Sequence, residues 1–236
     1  MIDLITSFSP EGYNLYGKRC LGSLVKFWPP EVEIKIFCDP PLDKYDFRSI
    51  YKDNITILDI SQETPILDYL PDFSWHPRMT SKTNYRLQGV RFCHKVFAMT
   101  VPGGRETRIW LDADTVTTGL IDLQYLSGCL PAAGETCSYL GRTQWHHSET
   151  GWLGFDMNCR GRQFLDSFLD MYRSGNILLL DETHDAFAFD VLRRQKEALG
   201  WKFRNLSPNA VGLDAWGHSP LSQRMIHFKG NEKRLA

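Results

Sequence analysis

Arg108-Ile109-Trp110-Leu111-Asp112-Ala113-Asp114 sets an apolar run directly against the only Asp-x-Asp of the chain. Arg108 to Leu111 reads as a short buried strand, so the two carboxylates stand just beyond its carboxyl end. Ligands of open α/β sheets gather at such ends. Paired carboxylates there can offer hard oxygen ligands to Mg²⁺ or Mn²⁺ and leave coordination positions for substrate phosphates. Asp is equally common in solvated turns, where its side chain bonds nearby backbone. The surrounding chain has to say which role applies.

Upstream, Ile2 to Thr6 reads as a buried strand, and Tyr13, Tyr16, Cys20, Leu24 and Phe27 recur at helical spacing until Trp28-Pro29-Pro30 stops the pattern. Glu33 to Cys38 is a second strand, which makes the opening a β-α-β unit, and Ile55 to Ile60 is a third. Leu87, Val90, Cys93 and Phe97 mark one face of a helix over about 84–99. Gln88, Arg91 and Lys95 form a polar stripe on that helix, either solvated or facing an anion. Pro102-Gly103-Gly104 is a turn into the Arg108 strand.

Downstream, Thr136 to Leu140 and Gly151 to Phe155 read as strands, Arg162 to Tyr172 and Thr183 to Leu199 as helices, and Trp201 to Leu206 and Arg224 to Phe228 as late strands. No repeat, low-complexity tract or Gly/Ser linker divides the chain. The expected architecture is one α/β domain over 1–236 with a mixed, mainly parallel central sheet flanked by helices.

Composition narrows the function. The 236 residues carry 27 Lys plus Arg against 28 Asp plus Glu, a net charge of −1, with 42% hydrophobic residues. That balance disfavours nucleic acid or an anionic membrane surface as partner and leaves a small acidic ligand open. The longest aliphatic run, Ile177-Leu178-Leu179-Leu180, is strand-sized and too short to span a bilayer. Met1-Ile2-Asp3-Leu4-Ile5-Thr6 lacks the basic and apolar regions of a leader, and six residues after Gly230 suggest no anchoring tail, so the expected location is cytoplasmic. Cys20, Cys38, Cys93, Cys129, Cys137 and Cys159 are widely spaced with no Cys-x-x-Cys, as expected of reduced core thiols.

There is no Gly-x-Gly-x-x-Gly after the first strand and no Gly-x-x-x-x-Gly-Lys-Ser/Thr. Phosphate binding would therefore use a metal ion and cationic side chains. His227-Phe228-Lys229-Gly230-Asn231-Glu232-Lys233 supplies that set: an imidazole ligand, a glycine that admits close backbone approach, and a lysine to neutralise a leaving diphosphate.

Taken together, these segments resemble a GT-A (Rossmann-like) glycosyltransferase, closest in pattern to the glycogenin and galactosyltransferase-like family 8. Leu4-Ile5-Thr6-Ser7 with Tyr13 and Leu21-Gly22-Ser23-Leu24 resembles the nucleotide-binding start of that family. Lys95-Val96 resembles its Lys-Leu helix, Trp110 to Asp114 its metal motif, and His227 to Lys233 its terminal motif. Glu149-Thr150-Gly151 stands where the family has Asn-Ser-Gly, and Asp185-Ala186 where it has Asp-Gln, so the glutamine is absent.

The resemblance implies a metal site of Asp112, Asp114 and His227. It places Thr6, Ser7 and Tyr13 near the nucleotide base, and Lys95, Asp112, Ala113, Gly230 and Lys233 along the diphosphate and donor sugar. Asp185 and Lys233 are the catalytic candidates. Residues 1–115 become the nucleotide-binding half and 116–236 the donor-sugar and acceptor half. The implied reaction is hexosyl transfer from a nucleotide-diphosphate sugar, UDP-linked in the families resembled, to a carbohydrate or other hydroxyl. Metal and lysine would stabilise the leaving diphosphate. An Asp/Asp/His set favours Mn²⁺ over Mg²⁺, because imidazole suits transition metals better. Asp185 would contact the donor sugar or, in an inverting enzyme, deprotonate the acceptor hydroxyl.

Two other readings stay open at the level of sequence. Leu111-Asp112-Ala113-Asp114-Thr115-Val116 also resembles the nucleophile motif of haloacid dehalogenase-type phosphohydrolases, with Asp112 as nucleophile. That motif follows the first strand in those enzymes. A non-catalytic carbohydrate-binding protein could keep the same fold. Trp75-His76-Pro77, Trp145-His146-His147 and Trp216-Gly217-His218 are aromatic stretches against which a sugar ring could stack. The His146-His147 pair has no further Cys or His at ligand spacing, so the sequence offers no zinc site there.

Overall fold

A computed structural model describes residues 1–48, 50, 52–63, 74–101, 104, 106–142, 147–158, 160–230 and 232. Strand β1 (Ile2–Phe8) is buried on both faces: Leu4 and Phe8 belong to one core and Ile5 to the other. A central parallel strand is covered on both faces, so the polar Asp3 and Thr6 are buried along with Leu4, Ile5 and Phe8. Ser9 then caps a helix, its Oγ accepting from Gly12 N at 3.1 Å, with Pro10 at the first helical position. The helix therefore begins three residues before Tyr13. It runs as α1 (Pro10–Gly12), a π-helical turn (Tyr13–Gly17) and α2 (Lys18–Phe27), and ends where Trp28, extended before Pro29, cannot continue it.

β2 (Val32–Cys38) and β3 (Ile55–Asp59) lie parallel beside β1, and β4 (Thr107–Leu111) lies parallel on its other side. Between β3 and β4 come α3 (Ile60–Glu63) and α4 (Gly89–Thr100). The turn Tyr85–Leu87, capped by Asn84, precedes α4 as a separate 3₁₀ element, so the helix starts later than its apolar spacing suggested.

After β4 come a short β5 (Thr115–Thr117), α5 (Leu123–Cys129), β6 (Cys137–Leu140), β7 (Glu149–Asp156), α6 (Arg160–Arg173), α7 (Asp185–Ala198), β8 (Phe203–Asn205) and β9 (Met225–His227). The seven-stranded sheet has the order β3-β2-β1-β4-β7-β6-β8. Only the two pairs that involve β7 are antiparallel. β5 and β9 form a separate antiparallel ribbon. The aliphatic run 177–180, strand-sized in sequence, falls instead on a 3₁₀ turn (Asn176–Leu179) that follows Gly175 at φ 75°.

Helix α2 covers one face of the sheet through Cys20, Leu21 and Leu24. On the other face Val96 and Phe97 of α4, Phe164 and Phe168 of α6, and Phe189 of α7 pack on Ile5, Trp110 and Phe155. This is the α/β fold with a mixed, mainly parallel sheet that the patterning called for. The five cysteines among the described residues are free and buried, while Cys159 and the turn residues Pro102 and Gly103 lie outside them. Among the described residues no helix is long and apolar enough to cross a membrane.

Candidate active site

β4 ends at Leu111, and the backbone then pins both carboxylates. Asp112 N donates to the Gly151 carbonyl of β7 at 2.8 Å, and Thr115 N closes a turn on Asp112 O at 3.0 Å. β5 leaves that turn and pairs with β9, with Thr115 opposite His227, and Phe228 N donates to Asp114 O at 3.0 Å. The ribbon thus carries His227 to the Asp-x-Asp. His227 Nε2 lies 3.0 Å from Asp114 Oδ1 and 3.9 Å from Asp112 Oδ2. One ligand atom from each residue falls within 4.8 Å of the others. Gly151 makes room: a Cβ there would lie 2.8 Å from His227 Cε1.

Beside this trio stands a buried cation. Lys95 of α4 reaches over the sheet end, its Nζ 2.7 Å from Asp112 Oδ1 and 2.7 Å from Asp185 Oδ2, and donates to the Thr150 carbonyl at 2.9 Å. Thr150 Oγ1 donates to Asp185 Oδ2 at 2.6 Å, and Trp110 Nε1 to Asp112 Oδ1 at 2.7 Å. Asp185 opens α7, where a carboxylate also meets the positive end of the helix dipole.

These contacts move the protonation equilibria. Burial, with the neighbouring Asp114 charge, pushes Asp112 above the ordinary carboxylate range even against Lys95. Burial acts the same way on Asp185, but the Lys95 ammonium and the bonds from Lys95 and Thr150 outweigh it and hold that carboxyl low. Burial alone would depress Lys95, yet the two carboxylates raise it. His227 is likewise raised, because the Asp114 bond and the charges of Asp114, Glu149 and Asp112 overcome desolvation. A divalent cation would bring further positive charge to the buried Asp112 and Asp114 carboxylates. The donor set of two carboxylates and one imidazole suits such an ion.

Sequence reasoning singled out Glu149 only as a departure from a pattern. Its Oε1 faces His227 Nδ1 at 3.7 Å, on the ring edge away from Asp114, and its Oε2 is held by Arg142 and Lys229. A carboxylate behind an imidazole is the usual orienting partner of a metal-ligating His. No local signal marks it, because Glu149 and His227 meet only through the β4–β7 and β5–β9 pairings.

The remaining expected residues are placed as follows. Ile5 pairs with Trp110, so Thr6 and Ser7 stand at the same end of the sheet as Asp112, Thr6 wholly buried and Ser7 half-buried. Tyr13 does not join the acidic cluster. It packs against Tyr45 and Phe47, donates to the Asp46 carbonyl, and lines a separate cavity of about 380 Å³ with Lys18, Gly22 and Ile50. Ala113 is buried in the α2-side core. Gly230, at φ 53°, sits in a turn closed by Glu232 N on Lys229 O. Lys233 lies outside the described residues, as do Asn231, Trp145 and His146. Of the polar stripe, Lys95 enters the site and Arg91 faces solvent. Trp216 is buried against His227, ring centroids 4.9 Å apart, whereas Trp75 is exposed.

Three solved structures share this arrangement of strands and helices. Mouse xyloside xylosyltransferase 1 in its apo form matches over 87% of this chain and 85% of its own, at 12% identity and a TM-score of 0.53. The chain has a glycosyltransferase GT-A fold. Glycosyltransferase GlyE of Streptococcus pneumoniae TIGR4 (12% identity, TM-score 0.51) and the bifunctional glycosyltransferase WbbM (11%, 0.55) match over 85% and 98% of it. The chain spans only 44% and 46% of those two proteins. The sequence matches no protein-family model and no curated protein. At such identities the likeness carries the fold, and chemistry has to be argued from the site.

Proposed function

We propose that the protein is a metal-dependent glycosyltransferase that moves a sugar from a nucleotide-diphosphate sugar, UDP-linked by preference, to a hydroxyl acceptor. The observation that carries this reading is the convergence of Asp112, Asp114 and His227 at the carboxyl end of β4, with Lys95 alongside. Asp112, Asp114 and His227 would hold the ion, Mn²⁺ ahead of Mg²⁺ because of the imidazole. When bound, that ion supplies Lewis-acid stabilisation of the charge that develops on the leaving diphosphate.

Lys95 brings a fixed positive charge to the same edge of the site, and Gly230 and Lys233 would extend the phosphate-binding side from the terminal segment. Asp185 is held low on Lys95 and Thr150, which makes it a weak base. That favours a role in positioning the donor sugar over deprotonation of the acceptor, as in retaining members of the glycogenin-like family 8. In this reading residues 1–115, with Thr6 and Ser7 at the sheet end, carry the nucleotide, and 116–236 the sugar and acceptor. The phosphohydrolase reading fits poorly because its nucleophile motif follows the first strand, whereas Asp112 follows β4.

The test is thermal unfolding of metal-stripped protein with UDP, GDP or CMP, each with and without Mn²⁺. At 100 times Kd, binding adds about 2.7 kcal/mol, a rise of about 5–10 °C for a chain of this size. The expected result is a shift with UDP only when Mn²⁺ is present, lost in Asp114→Ala. No shift with any nucleotide overturns the donor site.

A further inference from the structure

We infer that His147, Glu182 and His184 form a second cation site, distinct from the Asp112, Asp114 and His227 cluster, that takes a borderline transition metal of the Zn²⁺ type. Glu182 Oε2 lies 2.6 Å from His184 Nε2 and 3.5 Å from His147 Nε2, and one ligand atom from each residue falls within 4.8 Å of the others. Two imidazoles and one carboxylate are a ligand set that suits Zn²⁺ and leaves a fourth position open, whereas Mg²⁺ and Ca²⁺ prefer all-oxygen surroundings.

The three side chains are held in place by their neighbours. Arg86 Nη1 binds the other carboxylate oxygen, Glu182 Oε1, at 2.9 Å, which leaves Oε2 turned toward the two rings. Ligating carboxylates are commonly anchored in this way. Thr183 fastens the strap between the ligands: its N donates to Arg86 O at 2.9 Å and its Oγ1 to Arg78 O at 2.6 Å. His184 is buried between Tyr85 and Phe92. His147 packs edge-on against Phe187 with centroids 4.9 Å apart, and the next residue, Ser148, is bound to Asp190 through both N and Oγ. His147 is about one-third exposed, which gives an ion a route in.

Around a tetrahedral Zn²⁺ with bonds of about 2.0–2.1 Å, neighbouring ligand atoms lie about 3.3 Å apart. The His184–Glu182 contact has to open by only a fraction of an ångström, and the His147–Glu182 contact barely changes. The geometry assigns the His184 proton to Nε2, because Nδ1 accepts the long 3.4 Å bond from Phe187 N. Ligation through Nε2 shifts that proton to Nδ1 and gives up that one weak bond. An ion here would tie the entry of β7 to the first turn of α7, immediately before Asp185.

The test uses metal-stripped Asp114→Ala, which removes the other cluster, titrated with Zn²⁺ against a chromophoric chelator and with Co²⁺ for its tetrahedral absorption band. The expected result is one Zn²⁺ per chain, a rise in Tm on Zn²⁺ addition, and affinity at least about tenfold weaker when His147→Ala is added. His147 is partly exposed, so that variant should retain the fold without metal, as Tm in chelator would verify. Should Asp114→Ala not fold, His147→Ala in the otherwise unaltered chain should lose one bound equivalent. No Zn²⁺ uptake, or uptake indifferent to both His147→Ala and Glu182→Gln, overturns the site.

Discussion

Lys95 and Asp185 form an ion pair at 2.7 Å in which the ammonium is shared, at the same distance, with Asp112. One cation from α4 therefore holds together the end of β4 and the start of α7, the two places that sequence reasoning assigned to metal binding and to the sugar. Buried charges of this kind are costly singly and tolerable only as a set.

Lys95→Met should accordingly lose about 3–5 kcal/mol of stability, since it leaves two buried carboxylates without their cation. Adding Asp185→Asn should restore part of that loss, because one of the stranded charges is gone. Urea unfolding of the two single variants and the double variant measures the coupling. A Lys95→Met protein as stable as the original would show that the shared ammonium carries no such weight.

Glu149→Gln should leave the fold intact and weaken Mn²⁺ binding about 10–100-fold, the usual effect of removing the carboxylate behind a ligating imidazole. The side chain keeps its size, and its position behind His227 Nδ1 affects the ion only through the ring. Mn²⁺ titration followed by electron paramagnetic resonance reads this directly. Affinity equal to that of the unaltered protein would show that Glu149 does not orient the His227 ring for metal binding.

Gly161→Ala probes the fold away from the site. A Cβ at Gly161 would stand 1.9 Å from the Asp156 carbonyl oxygen, a backbone atom that cannot swing aside. Overpacking usually costs about 1–3 kcal/mol, and a backbone clash belongs at or above the top of that range. Gly22→Ala, which meets nothing within 4 Å and lies inside α2, should instead be neutral or stabilising. Thermal unfolding of the pair should separate them by several degrees.

The parallel strands β1 to β4 and helices α2, α4, α6 and α7 were legible in the sequence because each is a local pattern of period 2 or 3.6 with a breaker at its end. The short strands β6, β8 and β9 were legible too, each inside a stretch read as strand. β5 and α5 were not: three-residue β5 has threonine at both ends, and α5 announces itself only through Asp122, whose side chain caps Tyr125 N at 2.7 Å. The resemblance puts Tyr13 near the nucleotide base; in the fold it packs against Tyr45 and Phe47, apart from the acidic cluster, where it lines its own cavity.

Sequence by itself determined the ingredients: a buried strand that delivers Asp112 and Asp114 to its carboxyl end, a helix that carries Lys95, and an imidazole at His227. Only the tertiary structure decided their company. His227 reaches Asp114 across 113 positions through an antiparallel ribbon, Glu149 backs it from β7, and His147 finds His184 through the meeting of β7 with α7. Strand order and helix packing set those meetings. They are properties of the whole buried core, which no window of neighbouring residues encodes.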